Sequence, residues 1–600
     1  MTETVAAIVT AHRAGKTTPA RTVARSFARI RAHDDPAVFI SLRAEDEAAA
    51  EAEQLASRDP QLPLFGVPVA IKDNIDVAGL PTTAACPAYA YTPTRDATAV
   101  ARLRAAGAIV IGKTNLDQFA TGLVGVRSPY GIPRNALRRD LIPGGSSSGS
   151  AVAVAAGLVP LTLGTDTAGS GRVPAMYNNI VGLKPSIGLV STAGLVPACR
   201  TLDCVSVFAL TADDAFAALE TIAGPDKSDP FSRARALGAL SALPARFTLG
   251  VPRKGQLLFF GDQNAAAAYD HALQRWGELG ARFTEVDLEP FYETARLLYE
   301  GPWIAERYLV VRDLIASAPE AVHPVTREIV LAGARPSAAD AFAAFYRLES
   351  LRRAAEQLLA GVDALVLPTA PTTYTVAQVL ANPIELNSRL GTYTNFANLL
   401  DLCGLALPAS LDDYRTPFGI TLLAPAGHDA RLASLGRVFH ADTRLPLGAL
   451  GLAQPPLAAL DNRPRSGEIA IAVVGAHLSG MALNGELRAL NARLLQTTRT
   501  AQDYRLYALR GASPAKPGLL RVEAGLGAAI EVEVWALATE AFGSFVANVP
   551  PPMSIGTVRL ADGSAAKGFL VEAQATVGAR DISQYGGWRA FLADAKEAVS

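Results

Sequence analysis

PGGSSSGSAVAVAAGLVPLTLGTDTAGSGRVPA, residues 143 to 175, places a serine-bearing turn at each end of an apolar run. The stretch has no histidine and no cysteine, and Asp166 is its only acid. A nucleophilic serine here must therefore hand its proton to a base supplied by another part of the chain. Gly157–Thr165, apolar and closed by the polar TDTAGSGR turn, reads as a buried strand.

Outward from this stretch the same type of run recurs. Val67–Ile71, bounded by Pro, Gly and a polar turn, is one, and AGAIVIGKTN, preceded by a helix around Ala97–Ala106, is another. FTLGVPRK near 250 and VDALVLPTAP at 362–371 complete the set. Residues 1–60 read as helices, with apolar positions at helical spacing in the first thirty and then the Ala/Glu-rich AEDEAAAEAEQLASRD. Strands alternating with helices predict an α/β fold, a sheet core covered by helices. At 446–466 the composition shifts to Pro, Gly and small residues without periodicity, which reads as a linker between a body at 1–445 and a domain at 467–600. Beyond it, EIAIAVVGAHL, QDYRLYALR, GLLRVEA, AIEVEVWAL and GFLVEA alternate as strands do, predicting a small strand-rich α+β domain.

Half of the 600 residues are hydrophobic, 18% are charged, and the formal net charge is −1. That balance gives no basis for expecting nucleic acid or an anionic membrane as partner. Four scattered cysteines make neither a disulfide framework nor a zinc spacing, and the N-terminal thirty residues lack an apolar core of secretory length. The expectation is a cytoplasmic protein without a metal or other cofactor.

Two motif matches are rejected on context. Gly107–Thr114 fits the Walker A pattern, but its intervening Ala-Ile-Val-Ile prefers a strand to a phosphate-cradling loop. Gly145–Gly149 fits G-x-S-x-G, but the preceding ALRRDLIPG is not the core strand that a nucleophile elbow requires. Lys72, at the end of VPVAIKDN, is a better source of a base: desolvation lowers a lysine pKa and frees a neutral amine. Taken alone it reads better as a strand-end lysine that reaches solvent or pairs with Asp73.

The VAIKDN lysine, PGGSSSGS and GTDTAGSGR together resemble the amidase signature family over most of residues 1–440. In that family the two serines stand 24 positions apart, as do Ser146 and Ser170 here. The resemblance implies a mixed β-sheet core, Lys72 as base, Ser170 as nucleophile and Ser146, on a cis peptide, as proton relay. It also implies an oxyanion hole from the N–H groups of Thr167, Ala168, Gly169 and Ser170. Ala168 and Gly171 depart from the usual Gly-Gly-Ser-Ile/Val-Arg turn, which suggests a pocket shaped for a small substrate.

LLYEGPWIAERYLVVRD, residues 297–313, places Tyr299 ahead of a helix that Pro302 would start and Arg307 inside it. Arg307 reads either as a carboxylate clamp or as a surface residue paired with Glu306 or Asp313. The segment resembles that of the allophanate hydrolase branch of the family, which implies Tyr299 and Arg307 as ligands of a small anionic ureido substrate. The C-terminal VVGAHLSGMALNGEL, with His477 and Asn484, resembles a γ-glutamyl cyclotransferase-like domain. For that domain the resemblance implies decarboxylation of N-carboxycarbamate with His477 as its key residue. Members of the amidase signature family are often dimers through the amidase body, so that resemblance implies a homodimer. The allophanate hydrolase likeness leaves open a urea-carboxylase or a triazine-pathway setting, the former implying a functional association with urea carboxylase. The alternatives are a general amidase or the amidase subunit of an amidotransferase, with a C-terminal domain that serves assembly and not catalysis.

Overall fold

The computed structural model describes residues 4–511 and 514–597. The chain divides into two units, Met1–Gly238 with Thr248–Leu457, and Ala239–Phe247 with Ala458–Ser600.

The first unit is built on one mixed sheet. Its strands are β1 (Phe39–Leu42), β2 (Pro68–Lys72), β3 (Ile109–Thr114), β4 (Leu161–Thr165), β5 (Val181–Lys184) and β6 (Val205–Ala209), followed by β7 (Phe247–Pro252), β8 (Ala281–Val286), β9 (Ala364–Pro368), β10 (Leu402–Leu411) and β11 (Pro417–Pro425). Their spatial order is β1-β3-β2-β4-β6-β5-β10-β11-β9-β7-β8. In β2, β3 and β4 every residue is buried, so both faces are covered, which is why these segments read as unbroken apolar runs rather than alternating ones. β2 runs parallel to both neighbours, with Lys72 opposite Thr114 and Ile71 opposite Leu163. The C-terminal ends of these strands therefore meet on one side of the sheet, the usual place for a site in open α/β layers.

The apolar run of the serine stretch becomes the helix Ser148–Ala155, buried at every position. Val152 and Ala153 pack with Ile109 and Ile111, while Ala151, Val154 and Ala155 pack with Phe208 and Ala406. A helix that is apolar all round is an interior helix, and its alanines let it lie close to the sheet. The first sixty residues form the expected helices, Val5–Arg13, Pro19–His33 and Glu45–Leu55, but also β1, which pairs antiparallel with β3.

The division falls at Leu457, inside the stretch that composition marks as a linker. Part of that stretch is not linker in character. Leu447 is buried and pairs with Leu452, and the Ala449 N–H donates to Ala155 O at 2.9 Å. A further departure is Ala239–Phe247, which belongs to the second unit although it precedes most of the first unit's later strands. There the Ala242 N–H donates to Leu494 O at 2.9 Å.

The second unit contains β12 (Glu468–Val473), β13 (Arg493–Arg499), β14 (Tyr504–Ala508), β15 (Pro517–Arg521), β16 (Glu531–Ala538), β17 (Met553–Arg559), β18 (Ala565–Val571) and β19 (Arg580–Asp581). They form a five-stranded sheet, β13-β16-β12-β18-β17, and a three-stranded sheet, β15-β14-β19. Ile471, Val473, Leu506, Val532 and Trp535 lie at the heart of its own apolar core. No helix among the described residues is long and apolar enough to cross a membrane.

Candidate active site

Lys72 is the last residue of β2 and is fully buried. Its Nζ lies 2.7 Å from Ser146 Oγ and 2.7 Å from Thr165 Oγ1. Burial lowers its pKa to about 7, against the opposing pull of Asp117, Asp166 and Asp203. The pairing with Asp73 that sequence allows does not occur. Asp73 Oδ1 faces Lys113 Nζ at 3.3 Å, and Asp73 Oδ2 accepts from the Thr83 N–H at 2.9 Å. Lys113 is the lysine of the rejected Walker match, and its stretch forms β3.

Ser146 follows a cis Gly145–Ser146 peptide. The Gly145 N–H donates to Leu123 O at 2.8 Å, and Ser146 O accepts from the Asp117 N–H at 3.0 Å. A Cβ at Gly145 would stand 2.1 Å from Asp117 Oδ2, so only glycine fits beside that carboxylate. Asp117 in turn accepts from the N–H groups of Gly125 at 2.9 Å and Arg127 at 3.0 Å. The loop 117–127 is thereby wrapped around the serine turn.

Ser170 sits on the turn between β4 and the helix Val173–Tyr177 and is 2% exposed. Asp166 shapes that turn. Its carboxylate accepts from Gly169 N–H at 2.7 Å, from Gly171 N–H at 3.0 Å and from both Nε and Nη2 of Arg172 at 2.9 and 3.0 Å. Burial disfavours the Asp166 charge, but Arg172, with Lys184 and the Gly169 N–H, holds the carboxyl below its usual range. Gly169 N–H, expected to face an oxyanion, is thus already committed to Asp166, because a sharp turn here directs it inward. The N–H groups of Thr167, Ala168 and Ser170 donate to no described residue. Thr167 Oγ1 is anchored on Asp203 at 2.5 Å, and Ala168 O accepts from Thr394 Oγ1 at 2.7 Å. Gly171 does not open the pocket as its departure from the family turn suggests: a Cβ there would meet Ser206 Cβ of β6 at 2.7 Å. The missing side chain makes room for the sheet.

Tyr299 lies in the last turn of the helix Glu289–Glu300, and Arg307 in the helix Ile304–Ser317. Pro302 stands in the link between them and not inside the second helix. The Arg307 guanidinium carbon is 5.7 Å from the centre of the Tyr299 ring. Arg307 is 4% exposed and pairs with neither Glu306 nor Asp313. Glu306 instead accepts from the Thr201 N–H at 2.9 Å, and Asp313 meets Arg312 at 3.5 Å. Arg307 Nη1 donates to Ala120 O and Thr121 Oγ1 at 3.2 and 3.1 Å, leaving Nη2 and Nε without an acceptor among the described residues. A buried guanidinium whose Nε–Nη2 edge is free is suited to a bidentate carboxylate. Sequence reasoning missed Thr165, Asp117, Thr121 and Arg127, whose Nη1 donates to Thr121 O at 2.9 Å. Thr165 opens the TDTAGSGR turn, and its direction follows only from the pairing of β2 with β4.

In the second unit His477 lies in the turn after β12, with Nε2 2.9 Å from Glu486 Oε2. Its ring stacks on Phe569 at 5.0 Å, and its carbonyl accepts from Asn484 Nδ2 at 2.9 Å. Burial lowers the His477 pKa, and Glu486 opposes the shift. Ser479, two residues on, is fixed by the buried Glu533, which accepts from its N–H at 2.8 Å and from Arg589 Nη2 at 2.6 Å.

Residues 21–433 match the amidase family, and residues 469–593 match the allophanate hydrolase C-terminal domain. The chain is 43% identical over 571 residues to urea amidolyase of Saccharomyces cerevisiae, covering 92% of this chain and 31% of that protein. It therefore spans about a third of the length of the curated relatives it matches first. A solved allophanate hydrolase of Kluyveromyces lactis is 40% identical, with a TM-score of 0.82 over 98% of this chain and 99% of the other. A glutamyl-tRNA(Gln) amidotransferase component of Thermus thermophilus is 35% identical over 444 residues, covering 69% of this chain and 93% of that protein. With a buried lysine joined to the serine turn in the first unit and the second domain continuous with it, the chain belongs to the amidase family, among the members that carry an allophanate hydrolase C-terminal domain.

Proposed function

We propose that the chain hydrolyses the terminal amide of allophanate on a Ser146–Ser170–Lys72 triad, releasing ammonia. The observation that carries this reading is a lysine with a pKa near 7, held 2.7 Å from the Ser146 hydroxyl. Neutral Lys72 accepts the Ser146 proton as Ser146 accepts that of Ser170, so the Ser170 oxygen attacks the amide carbon without a free alkoxide. The resulting oxyanion accepts from the unengaged N–H groups of Thr167, Ala168 and Ser170, donors that typically contribute about 3 kcal/mol each. Reverse transfer protonates the departing amine, and water then releases the acyl group from Ser170. The substrate carboxylate takes the free Nε–Nη2 edge of Arg307, with Tyr299 beside it. The likeness to the K. lactis allophanate hydrolase over nearly the whole of both chains supports this substrate.

The second unit decarboxylates the first product, N-carboxycarbamate, with His477 as proton donor, so that the whole chain yields ammonia and carbon dioxide. Allophanate is carboxylated urea, so its supply requires a reaction that carboxylates urea, and operation beside a urea carboxylase rests on that chemistry. Four buried, unpaired cysteines support a reducing cytoplasmic setting. Leu309, Phe342 and Tyr346, exposed on helices of the first unit, support a homodimer.

The test compares ammonia release from allophanate, malonamate, urea and acetamide. Allophanate is expected to lead, and Arg307→Ala to raise its KM at least about tenfold while leaving KM for acetamide within about twofold. Equal losses on charged and neutral amides would remove the clamp, and preference for acetamide would remove the substrate.

A further inference from the structure

Beside His477 the second unit holds a cavity of about 530 Å³. Much of its wall is apolar, including Leu483, Phe545, Val549, Met553 and Phe569. Its ionisable lining is confined to His477, Glu486 and Lys516. Glu486 is occupied by the His477 ring. Lys516 is half-buried, and its ammonium makes no hydrogen bond or ion pair with any described residue. It is nevertheless close enough for its charge to be felt at His477. A cation at an apolar wall without a counter-ion is unneutralised, and an anion entering the cavity supplies the missing charge.

We propose that Lys516 is the specificity-determining cation of this cavity, holding one carboxylate of a small N-carboxylated dianion while the other rests against the apolar wall. The inference depends on the decarboxylation assigned to this unit above. A carboxylate against Phe545, Val549 and Met553 loses hydration that carbon dioxide does not need, so the neutral product is favoured there. The bond between that carboxyl carbon and the nitrogen breaks, its electron pair stays on nitrogen, and nitrogen takes the proton of the His477 imidazolium. Dianion and proton thus become carbamate and carbon dioxide, with the carbamate still held by Lys516. Glu486 acts as a positioning residue, fixing the ring and favouring its protonated form.

The experiment gives full-length enzyme 13C-labelled allophanate and follows ammonia by rapid quench, with N-carboxycarbamate and carbon dioxide by 13C NMR. Lys516→Ala is expected to leave ammonia release within about twofold of the unmodified chain, while N-carboxycarbamate persists at least about tenfold longer. Lys516→Arg should restore most of the loss. An unchanged lifetime in Lys516→Ala, alongside a prolonged one in His477→Ala, would overturn the role of Lys516 and keep the second reaction. Unchanged lifetimes in both would overturn the second reaction itself. A prolonged lifetime that Lys516→Arg fails to shorten would assign the defect to packing and not to charge.

Discussion

Lys72 shows how burial governs the charge of one side chain. Its loss of hydration outweighs three carboxylates and brings the amine to a pKa of about 7. The proposed base is active only when neutral, so kcat/KM for ammonia release should rise with pH up to about 7 and then level off. A profile flat from pH 5.5 to 8.5 would assign the base elsewhere. The same shift acts on stability. A lysine with a lowered folded pKa binds fewer protons folded than unfolded between about pH 7 and 10.5, so its burden is full below that window and fades through it. Lys72→Met should therefore abolish turnover yet raise Tm, and by more at pH 6 than at pH 9.5. Thr165 supplies the second acceptor for Nζ. Thr165→Val is expected to lower kcat about tenfold with little change in KM, since it disturbs the base and not the substrate. A change in KM alone would limit Thr165 to binding.

At the level of elements, the Asp166–Arg172 turn is held by one carboxylate with four donors and no solvent. Asp166→Ala leaves Arg172 buried without its partner, so a loss of about 3–5 kcal/mol in denaturant unfolding is expected. Gly145→Ala drives a methyl into Asp117 and should cost stability and activity together. Normal turnover in that variant would mean the loop 117–127 yields more easily than its hydrogen bonds suggest. Much of this is legible in sequence because Lys72, Ser146 and Ser170 lie in short motifs whose local chemistry is distinctive. The role of Gly169 is not, because a signature names a residue without stating which way its N–H points. β10 and β11 are hidden for another reason. LCGLALPASL and PFGITLLAP are buried runs with glycine and proline inside them, and such runs lack the alternation that marks a strand. Pro408 is tolerated because the register with β11 shifts between it and Ser410.

On the scale of the whole molecule, the two units carry separate cores and, in our reading, separate reactions. A chain ending at Leu457 should keep ammonia release sensitive to Lys72→Ala and lose accelerated carbon dioxide formation. Loss of both would show that the first unit depends on the second for folding. Light scattering with Phe342→Glu and Tyr346→Lys tests the proposed homodimer: a shift from dimer to monomer mass is expected, and a monomer mass for the unmodified chain would remove it.

The nine residues Ala239–Phe247 add a constraint of their own. Because this strap leaves the first unit, joins the second and returns, the C-terminal unit is not an appendage that recombination could exchange at a single crossover. A graft taken from residue 458 onward would arrive without its tether and leave the donor body with an orphaned loop. Chimaeras between relatives should accordingly express best when both segments come from the same parent.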